Sequence, residues 1–507
     1  MNQVWNIFRK DVRHHWIEIM ASLALVAAFA WVEIGEWSHP NMASGGAAIL
    51  YGILGALAVP LTPVSWMFLI VRVVHGESLA GDRQFWVTRP YVRMKLLAAK
   101  VLFVMVFINV PLFFAQTFLL AKAGFDPMSY LPGLLWLQVM WTLLLLLPTA
   151  ALAAVTRSIG QMLLALLFVA LFAIGLSILS TVIPNSDFAA PVAAVYFPLV
   201  LLTTIAVILL QYCLRRTSQS RWLFAGLAAL FAVVMVATPY RTLIAREYPA
   251  ARADFPLQLS LMPPPKETHY ELRNRIPFTV TFSLSGLPKD SFVELNGMIL
   301  KLTNSTGQHW DSGWQSRGTM LFPDQKLVGT NVEINQDALD KLKTSPVSGD
   351  LFLAFTVYHD TKQRPFVVPQ GEFRLPDLGF CSTTAGSFSS LSCRIPLRRP
   401  KFLMVSSEMA ASTCPLSKDQ IPPSPGQIAR GFIRNDSSAP ADAALSSVEV
   451  EGVSLLDSSN DRTSGMCPGT PVTLSNPEDA VHASVEMHID SAWWAAYLQS
   501  LNKPKPQ

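Results

Sequence analysis

Histidine and carboxylate side chains are the groups in this chain that could hold a metal ion or transfer protons. His14 and His15 are adjacent but have no carboxylate partner at metal-ligand spacing. His75 and Glu77 lie close together, yet they follow a long apolar run, and a position at the edge of a membrane explains both residues better. The sequence therefore predicts no metal site and no catalytic residue.

Motifs that bind phosphate or carry a hydrolase nucleophile are missing as well. The dipeptide Gly-Lys never occurs, so the chain has no phosphate-binding loop of the form G-x-x-x-x-G-K-[ST]. It also lacks G-x-S-x-G and H-E-x-x-H. We expect a chain that is not an enzyme by itself and holds no cofactor. Any work that it does must draw energy from an ion gradient or from a partner.

Residues 72–100 mix basic and aromatic side chains. A short amphipathic helix at about residues 80–88, stopped by Pro90, would present an aromatic surface flanked by positive charge. Arginine and aromatic residues are the usual anchors of protein interfaces. The alternative is that the charges only hold this loop at the cytoplasmic side. The candidate docking residues are Glu77, Gly81, Arg83, Phe85, Trp86, Arg89, Pro90 and Arg93.

The five cysteines divide into one and four. Cys213 ends an apolar run, whereas Cys381, Cys393, Cys414 and Cys467 all lie in the polar second half. An even number there suits disulfides in an oxidising compartment. Sequence proximity favours Cys381–Cys393 and Cys414–Cys467. A zinc site is the alternative, although no C-x-x-C and no neighbouring histidine pair supports it.

Residues 1–16 predict an amphipathic helix at a membrane surface. Trp5, Phe8 and Trp16 recur at helical spacing, with the charges of Arg9 and Lys10 on the other side. A solvated tail is the alternative. No small-residue cleavage site follows, so the pattern is not that of a cleaved signal peptide.

The elements that must position these residues are membrane spans. Only 15% of the chain is charged, against about 25% in soluble domains. Up to about residue 240, apolar runs of about 20 residues follow one another, each long enough to cross a bilayer. We predict seven spans between residues 17 and 240, at about 17–34, 47–73, 101–121, 131–155, 162–183, 192–213 and 222–237. Polar residues and prolines within them, such as Asn109 and Gln138, predict kinks or interhelical hydrogen bonds; a substrate site is the alternative.

The loop charges predict the orientation of these spans. Basic residues occupy every second loop. The alternate loops, at residues 35–46, 122–130 and 184–191, contain a single lysine or arginine, Lys122. Basic residues are retained in the cytoplasm, so the N-terminus is predicted to be inside. After seven spans the second half lies outside, as the four cysteines also indicate. We expect a multi-pass protein of the bacterial cytoplasmic (inner) membrane.

Residues 250–507 predict one extracytoplasmic, β-rich, sandwich-like domain. Short β-rich runs alternate with turn residues, and residues 278–284 alternate with the period of a half-buried strand. The Ser- and Pro-rich stretch near 418–444 predicts a long loop. Residues 491–501, with Trp493, Trp494 and Tyr497, predict a helix that docks on the domain; contact with the membrane surface is the alternative.

The first half resembles the membrane permease subunit of ABC-2 type exporters. Two features carry the resemblance: the amphipathic segment WNIFRKDVRHHW, and the loop after the second span. The matching loop positions are Glu77, Gly81, residues 84–86, Pro90 and Lys100. The resemblance covers residues 1 to about 215. The family core usually has six spans and both termini inside, so the seventh span and the large outer domain depart from it, and no substrate carries over.

The resemblance implies that residues 76–93 dock on a separate ATP-binding-cassette ATPase subunit, which would hold the ATP and magnesium. It also implies pairing into a homodimer or a pseudo-symmetric heterodimer of permease chains within the lipid bilayer. We expect no nucleic-acid partner. The alternative function is a membrane-anchored sensor or assembly factor whose outer domain binds a ligand or partner. A secondary transporter is a weaker third interpretation, because the spans carry almost no charge away from their ends.

Overall fold

The structure is a computed structural model of the chain. It describes residues 2–38, 46–76, 92–182, 189–214, 216–237, 240–252, 255, 257–264, 275–325, 327–335, 340, 342, 346–359, 362–375, 378–383, 391–397, 402–408, 428–434, 445–453, 455–456, 463–464, 466–477 and 479–501. A helical first half is followed by a β-rich second half, as predicted.

The helical half consists mainly of apolar helices. In chain order they are α1 (Asn2–His14), α2 (Trp16–Ser38), α3 (Gly46–His75), α4 (Arg93–Val104), α5 (Val110–Lys122), α6 (Leu131–Trp141), α7 (Leu147–Val155), α8 (Ile159–Val182), α9 (Ala189–Leu209), α10 (Thr217–Ala237) and α11 (Tyr240–Glu247). Three π-helical turns extend α4, α6 and α9, at Met105–Asn109, Thr142–Leu146 and Leu210–Leu214. Such turns are often found at functional positions.

Five helical runs in the described residues are long and apolar enough to cross a membrane. They are Trp16–Gly35, Gly52–His75, Met94–Lys122, Pro127–Val155 and Phe197–Leu214. These runs correspond to the predicted spans one to four and six. The fifth and seventh predicted spans are also helical, as α8 and α10, but they are not among the five. The seven-span count therefore stays a prediction.

The chain divides into two compact units. One contains Met1–Val169, Tyr196–Phe231 and Gln363–Asn476; the other contains Ala170–Val195, Ala232–Lys362 and Pro477–Gln507. The β-rich half is therefore split between them. The sequence predicts one β-rich domain, whereas the structure has two pairs of sheets, because strands far apart in sequence pair with each other.

The second unit contains one of the two pairs of sheets, whose strands come before and after those of the other pair in the sequence. Strands β3 (Phe292–Asn304), β4 (His309–Asp311), β5 (Gln315–Leu321), β7 (Val347–His359) and β18 (Asp479–Ile489) form one sheet, in the order β18-β7-β3-β4 with β5 also on β3. Strands β1 (Gln258–Leu261), β2 (Arg275–Ser285) and β6 (Leu327–Asn335) form the other. Both sheets contribute to one apolar core, as in a sandwich.

The predicted C-terminal helix is confirmed as α12 (Ser491–Leu501). Trp494 and Tyr497 are each 1% exposed and pack in the core of this sandwich. The Phe278 ring centroid lies 4.6 Å from that of Tyr497. The helix therefore docks on the domain through its aromatic residues.

The other pair of sheets, residues Gln363–Asn476, interrupts the first pair between β7 and β18; we call it the inserted module. Its strands are β8 (Lys362–Val367), β9 (Glu372–Leu375), β10 (Gly379–Thr383), β11 (Leu391–Pro396), β12 (Phe402–Glu408), β13 (Ile428–Arg434), β14 (Val448–Val453), β15 (Leu455–Leu456), β16 (Thr463–Ser464) and β17 (Pro471–Asn476). The sheet orders are β14-β11-β10-β9 and β16-β15-β13-β12-β17-β8. Strand β13 lies within the stretch near residues 418–444 that the sequence predicts to be rich in loops.

Cysteine pairing in the inserted module follows the prediction where it is described. Cys381 on β10 pairs with Cys393 on β11, and a disulfide joins them. Cys467 is also disulfide-bonded. Cys414 lies outside the described residues, so its predicted bond to Cys467 stays a prediction. No cluster of metal-binding side chains occurs in the described part of the chain.

Candidate functional site

Most of the predicted docking segment lies outside the described residues: Glu77, Gly81, Arg83, Phe85, Trp86, Arg89 and Pro90. Arg93 opens α4. The structure does describe the two helices that lead into and out of this segment. The end of α3 and the beginning of α4 meet in a cluster of polar side chains, together with α1, α2 and α7.

A buried ion pair lies at the centre of this cluster. The Lys100 ammonium is 2.7 Å from Asp11 Oδ2 and donates a second hydrogen bond, of 3.0 Å, to the Val73 carbonyl. Both charged side chains are almost completely buried. Buried charges are tolerated only when paired and hydrogen-bonded. One ammonium therefore ties α1, α3 and α4 together.

Helix α1 is amphipathic, as predicted, and packs on α4. Phe8 is buried, and its ring centroid lies 6.3 Å from that of Phe103 and 5.8 Å from that of Phe107. The predicted interfacial residues Trp5 and Trp16 are more than half exposed, and Arg9 and Lys10 are exposed as well. Exposed tryptophans beside basic residues suit a membrane–water interface.

A second polar contact joins α2 to α3. Arg72 Nε lies 3.3 Å from Glu18 Oε1, and His15 Nδ1 lies 3.8 Å from the same oxygen. Burial, with a further contribution from the neighbouring His14, lowers the pKa of His15. Burial thus favours the neutral form of the His15 imidazole. The sequence analysis found no carboxylate for the histidine pair; Glu18, three residues after His15, was the signal that it missed.

The end of α3 is also tied to α7. His75 Nε2 lies 3.1 Å from the Ala153 carbonyl and 3.0 Å from Thr156 Oγ1. His75 thus serves as a helix-to-helix contact at the end of a span, the position that the sequence predicts. Glu77 lies outside the described residues.

These contacts hold both ends of the predicted docking segment. Arg72, Val73 and His75 fix the end of α3, while Lys100 fixes α4 one to two turns after its start. The contacts link five helices, α1, α2, α3, α4 and α7.

A second group of polar side chains lies within the spans. Gln138 Nε2 donates to Gln116 Oε1 at 2.8 Å, and Thr142 Oγ1 donates to Asn109 Oδ1 at 3.3 Å. These contacts confirm the predicted interhelical hydrogen bonds of Asn109 and Gln138. Gln116 was missed by the sequence analysis, although it is a fully buried amide in an otherwise apolar helix.

Comparison with known proteins adds no further information on function. No family model matches the chain, and no curated protein is similar enough to count as a relative.

Proposed function

We propose that this chain is the membrane-spanning permease subunit of an ABC-2 type exporter. It would couple ATP hydrolysis by a separate ATPase subunit to transport of a substrate across the cytoplasmic membrane. The observation that carries the proposal is the buried contact of Lys100 with Asp11 and the Val73 carbonyl. It joins the amphipathic helix to both helices that flank the predicted docking segment.

The mechanism follows from this connection. A docking element must be attached to helices that move as one body, so that closure of the ATPase becomes a tilt of the spans. In this protein, α3 and α4 would receive the movement at residues 77–91. The Asp11–Lys100 pair and the Glu18–Arg72 contact would pass it to α1 and α2.

The remaining parts of the proposal concern topology and assembly. The N-terminus would lie in the cytoplasm and the β-rich half outside, as the loop charges favour. Two permease chains would pair as a homodimer or a pseudo-symmetric heterodimer. ATP and magnesium would bind only to the ATPase subunit.

The proposal is tested by co-purification of this chain with an ATP-binding-cassette ATPase subunit expressed in the same cell. We expect the ATPase to remain bound to the unaltered chain and to be lost from Trp86→Ala and Arg83→Glu. Truncating an interface anchor costs about 2 kcal/mol or more, which is roughly thirtyfold in affinity.

The matched control is Trp136→Ala. Trp136 is 61% exposed and lies on α6, in the run Pro127–Val155. It is far from Val155, the end of this run that the loop charges predict to be cytoplasmic. This variant should retain the ATPase. Retention by Trp86→Ala and Arg83→Glu as well would contradict docking at this segment.

A second function has one observation in its favour. Leu445 of the inserted module is buried among residues of the helices, so a ligand of that module could signal directly to the spans. A sensor or assembly factor would use this contact without transport. Measuring ATP hydrolysis in proteoliposomes separates the two, since a sensor would not stimulate an ATPase.

A further inference from the structure

A short segment of the inserted module, Leu445–Val448, enters the helix bundle. Leu445 is 1% exposed and belongs to the same apolar cluster as the membrane helices. Its carbonyl accepts a 2.9 Å hydrogen bond from Gln116 Nε2, and Ser447 Oγ donates a 2.6 Å bond to the Gln116 carbonyl. One residue of α5 therefore binds the segment through both its side chain and its backbone.

The groups around the segment form a continuous polar site. Gln116 Oε1 accepts from Gln138 Nε2, whereas Gln138 Oε1 accepts no hydrogen bond from any residue that the structure describes, although Gln138 is only 8% exposed. A buried amide oxygen without a donor is unfavourable. It marks the place where a hydroxyl or an amide N–H of a bound molecule would be stabilised.

The composition of the site limits what it can bind. Its hydrogen-bonding groups are the amides of Gln116 and Gln138, which are neutral, and its walls are apolar. A charged group contacts the same segment of the inserted module, because Ser446 Oγ donates a 3.3 Å hydrogen bond to Glu33 Oε2. Leu445 presents an isobutyl side chain and a peptide carbonyl to this environment. The complementary molecule is uncharged, with an aliphatic part beside an amide or hydroxyl.

The adjoining helices depart from regular geometry beside the site. The π-helical turn Met105–Asn109 precedes α5, and the turn Thr142–Leu146 follows α6. Thr142 and Asn109, one from each turn, are hydrogen-bonded to each other. A π-helical turn can revert to α-helix by a shift of one residue, so the two helices have a local means of changing their spacing.

We propose that Gln116 and Gln138 form a binding site for an uncharged aliphatic amide or alcohol, and that Leu445–Ser447 is its internal occupant. The segment withdraws when such a molecule enters. Calling that molecule the exported cargo rests on the proposed function; the binding site itself does not. The inserted module would thus cover the site until it is needed.

The structure offers a way to prevent the withdrawal without altering the site. A Cβ at Gly133 on α6 would lie 3.6 Å from the Leu397 Cβ of the inserted module. Disulfides form at Cβ separations of about 3.5–4.5 Å. The pair Gly133→Cys and Leu397→Cys, in a Cys213→Ser background, should therefore lock the module to the bundle.

The test uses the purified full chain in lipid nanodiscs, without an ATPase. The probe is N-dodecanoyl-leucinamide with a diazirine in the leucine side chain, and adducts are mapped by mass spectrometry after irradiation. We expect adducts on residues 105–146, increased several-fold in Ser447→Ala because the internal occupant is held less tightly. The oxidised Gly133–Leu397 cysteine pair should decrease them several-fold, and mild reduction should restore them.

The matched control is Ser407→Ala. Ser407 is buried like Ser447 and donates a 2.8 Å hydrogen bond to the Pro471 carbonyl, but it lies within the inserted module. Equal labelling of Ser407→Ala and Ser447→Ala, or labelling that the oxidised cysteine pair does not change, would overturn the proposal. The background chain treated with the same reductant controls for reduction of Cys381–Cys393. A failed co-purification with the ATPase would leave these results intact, so the two proposals fail separately.

Discussion

Lys100 shows how much one residue can connect. Its ammonium is buried and bound to Asp11 and to the Val73 carbonyl, so three helices depend on it. Because both side chains are buried, bulk solvent cannot readily replace a lost partner. The pair should therefore be sensitive to single substitutions and tolerant of a paired replacement.

We predict that Lys100→Met lowers the free energy of unfolding by about 3–5 kcal/mol, because it leaves the Asp11 carboxylate buried and unpaired. Asp11→Leu combined with Lys100→Met should recover most of this loss. The measurement is thermal unfolding of the detergent-purified chain.

The exposed pair of His488 and Asp350, 2.8 Å apart, supplies the control. Asp350→Asn should change stability by about 0–1 kcal/mol, as expected for surface pairs. A double replacement as unstable as Lys100→Met would indicate a role for this pair beyond its charges.

At the scale of elements, the connection between α5 and α6 depends on a capping carboxylate. Asp126 Oδ1 accepts a hydrogen bond from the Met128 N–H, and Oδ2 accepts one from the Ser129 hydroxyl at 2.8 Å. These two hydrogen bonds cap the 3₁₀ turn Pro127–Tyr130, which leads into α6. The same connection contacts the inserted module, since the Phe125 and Phe380 ring centroids are 5.3 Å apart.

We predict a pH dependence for this cap. The hydrogen bond from Ser129 and that from the Met128 N–H lower the pKa of Asp126 below its ordinary value of 3.8. A lowered folded-state pKa stabilises the fold above the ordinary value, and the contribution is lost as the pH falls through the lowered one. The melting temperature of the native chain should thus exceed that of Asp126→Ala at pH 7, with the difference shrinking below about pH 4.

Asp126→Asn is the informative comparison, because asparagine caps a helix about as well as aspartate but does not titrate. Its advantage over Asp126→Ala should persist at low pH. An advantage of the native chain that is constant across this pH range would show that the carboxylate charge is irrelevant.

Gly124, in the same connection, explains how closely the inserted module approaches α5. Its φ of +90° lies in the region that favours glycine, and a Cβ there would lie 2.9 Å from the Phe380 ring. The turn and the close approach both require glycine. The inserted module therefore contacts the helical half in two places: Phe380 lies against Gly124, and Leu445 and Ser447 are hydrogen-bonded to Gln116.

For the whole molecule, the main feature is that one pair of sheets interrupts another. β18 pairs along its full length with β7, from Asp479 opposite His359 to Ile489 opposite Gly349, although the inserted module separates the two strands in sequence. Their ends near residues 362 and 477 therefore lie close together. The inserted module has its own apolar core.

We predict that residues 363–476 can be replaced by a short Gly/Ser linker without loss of the β7–β18 pairing. Directly paired antiparallel residues are about 4.5–5.5 Å apart, so a few residues can join the strands. Hydrogen exchange of residues 349–359 should stay as slow as in the intact chain. Truncation after Asn476, which removes β18, is the control and should make it fast; fast exchange in the linker variant would contradict independent folding.

Local patterns in the sequence determined much of the architecture. Apolar run length predicted five of the membrane-length helices, helical spacing predicted α1, and proximity predicted the Cys381–Cys393 bond. Clustered aromatic residues predicted the docking of α12. Each of these features depends on neighbours within one element or one hairpin.

Only the tertiary structure decided which distant residues meet. Asp11 and Lys100 are 89 positions apart, and Gln116 and Leu445 are 329 positions apart. No sequence pattern predicted that one pair of sheets interrupts another. Periodicity shows which face of an element is apolar, because that depends on backbone geometry. It cannot show which other element covers that face, because many apolar surfaces are interchangeable until the chain has packed.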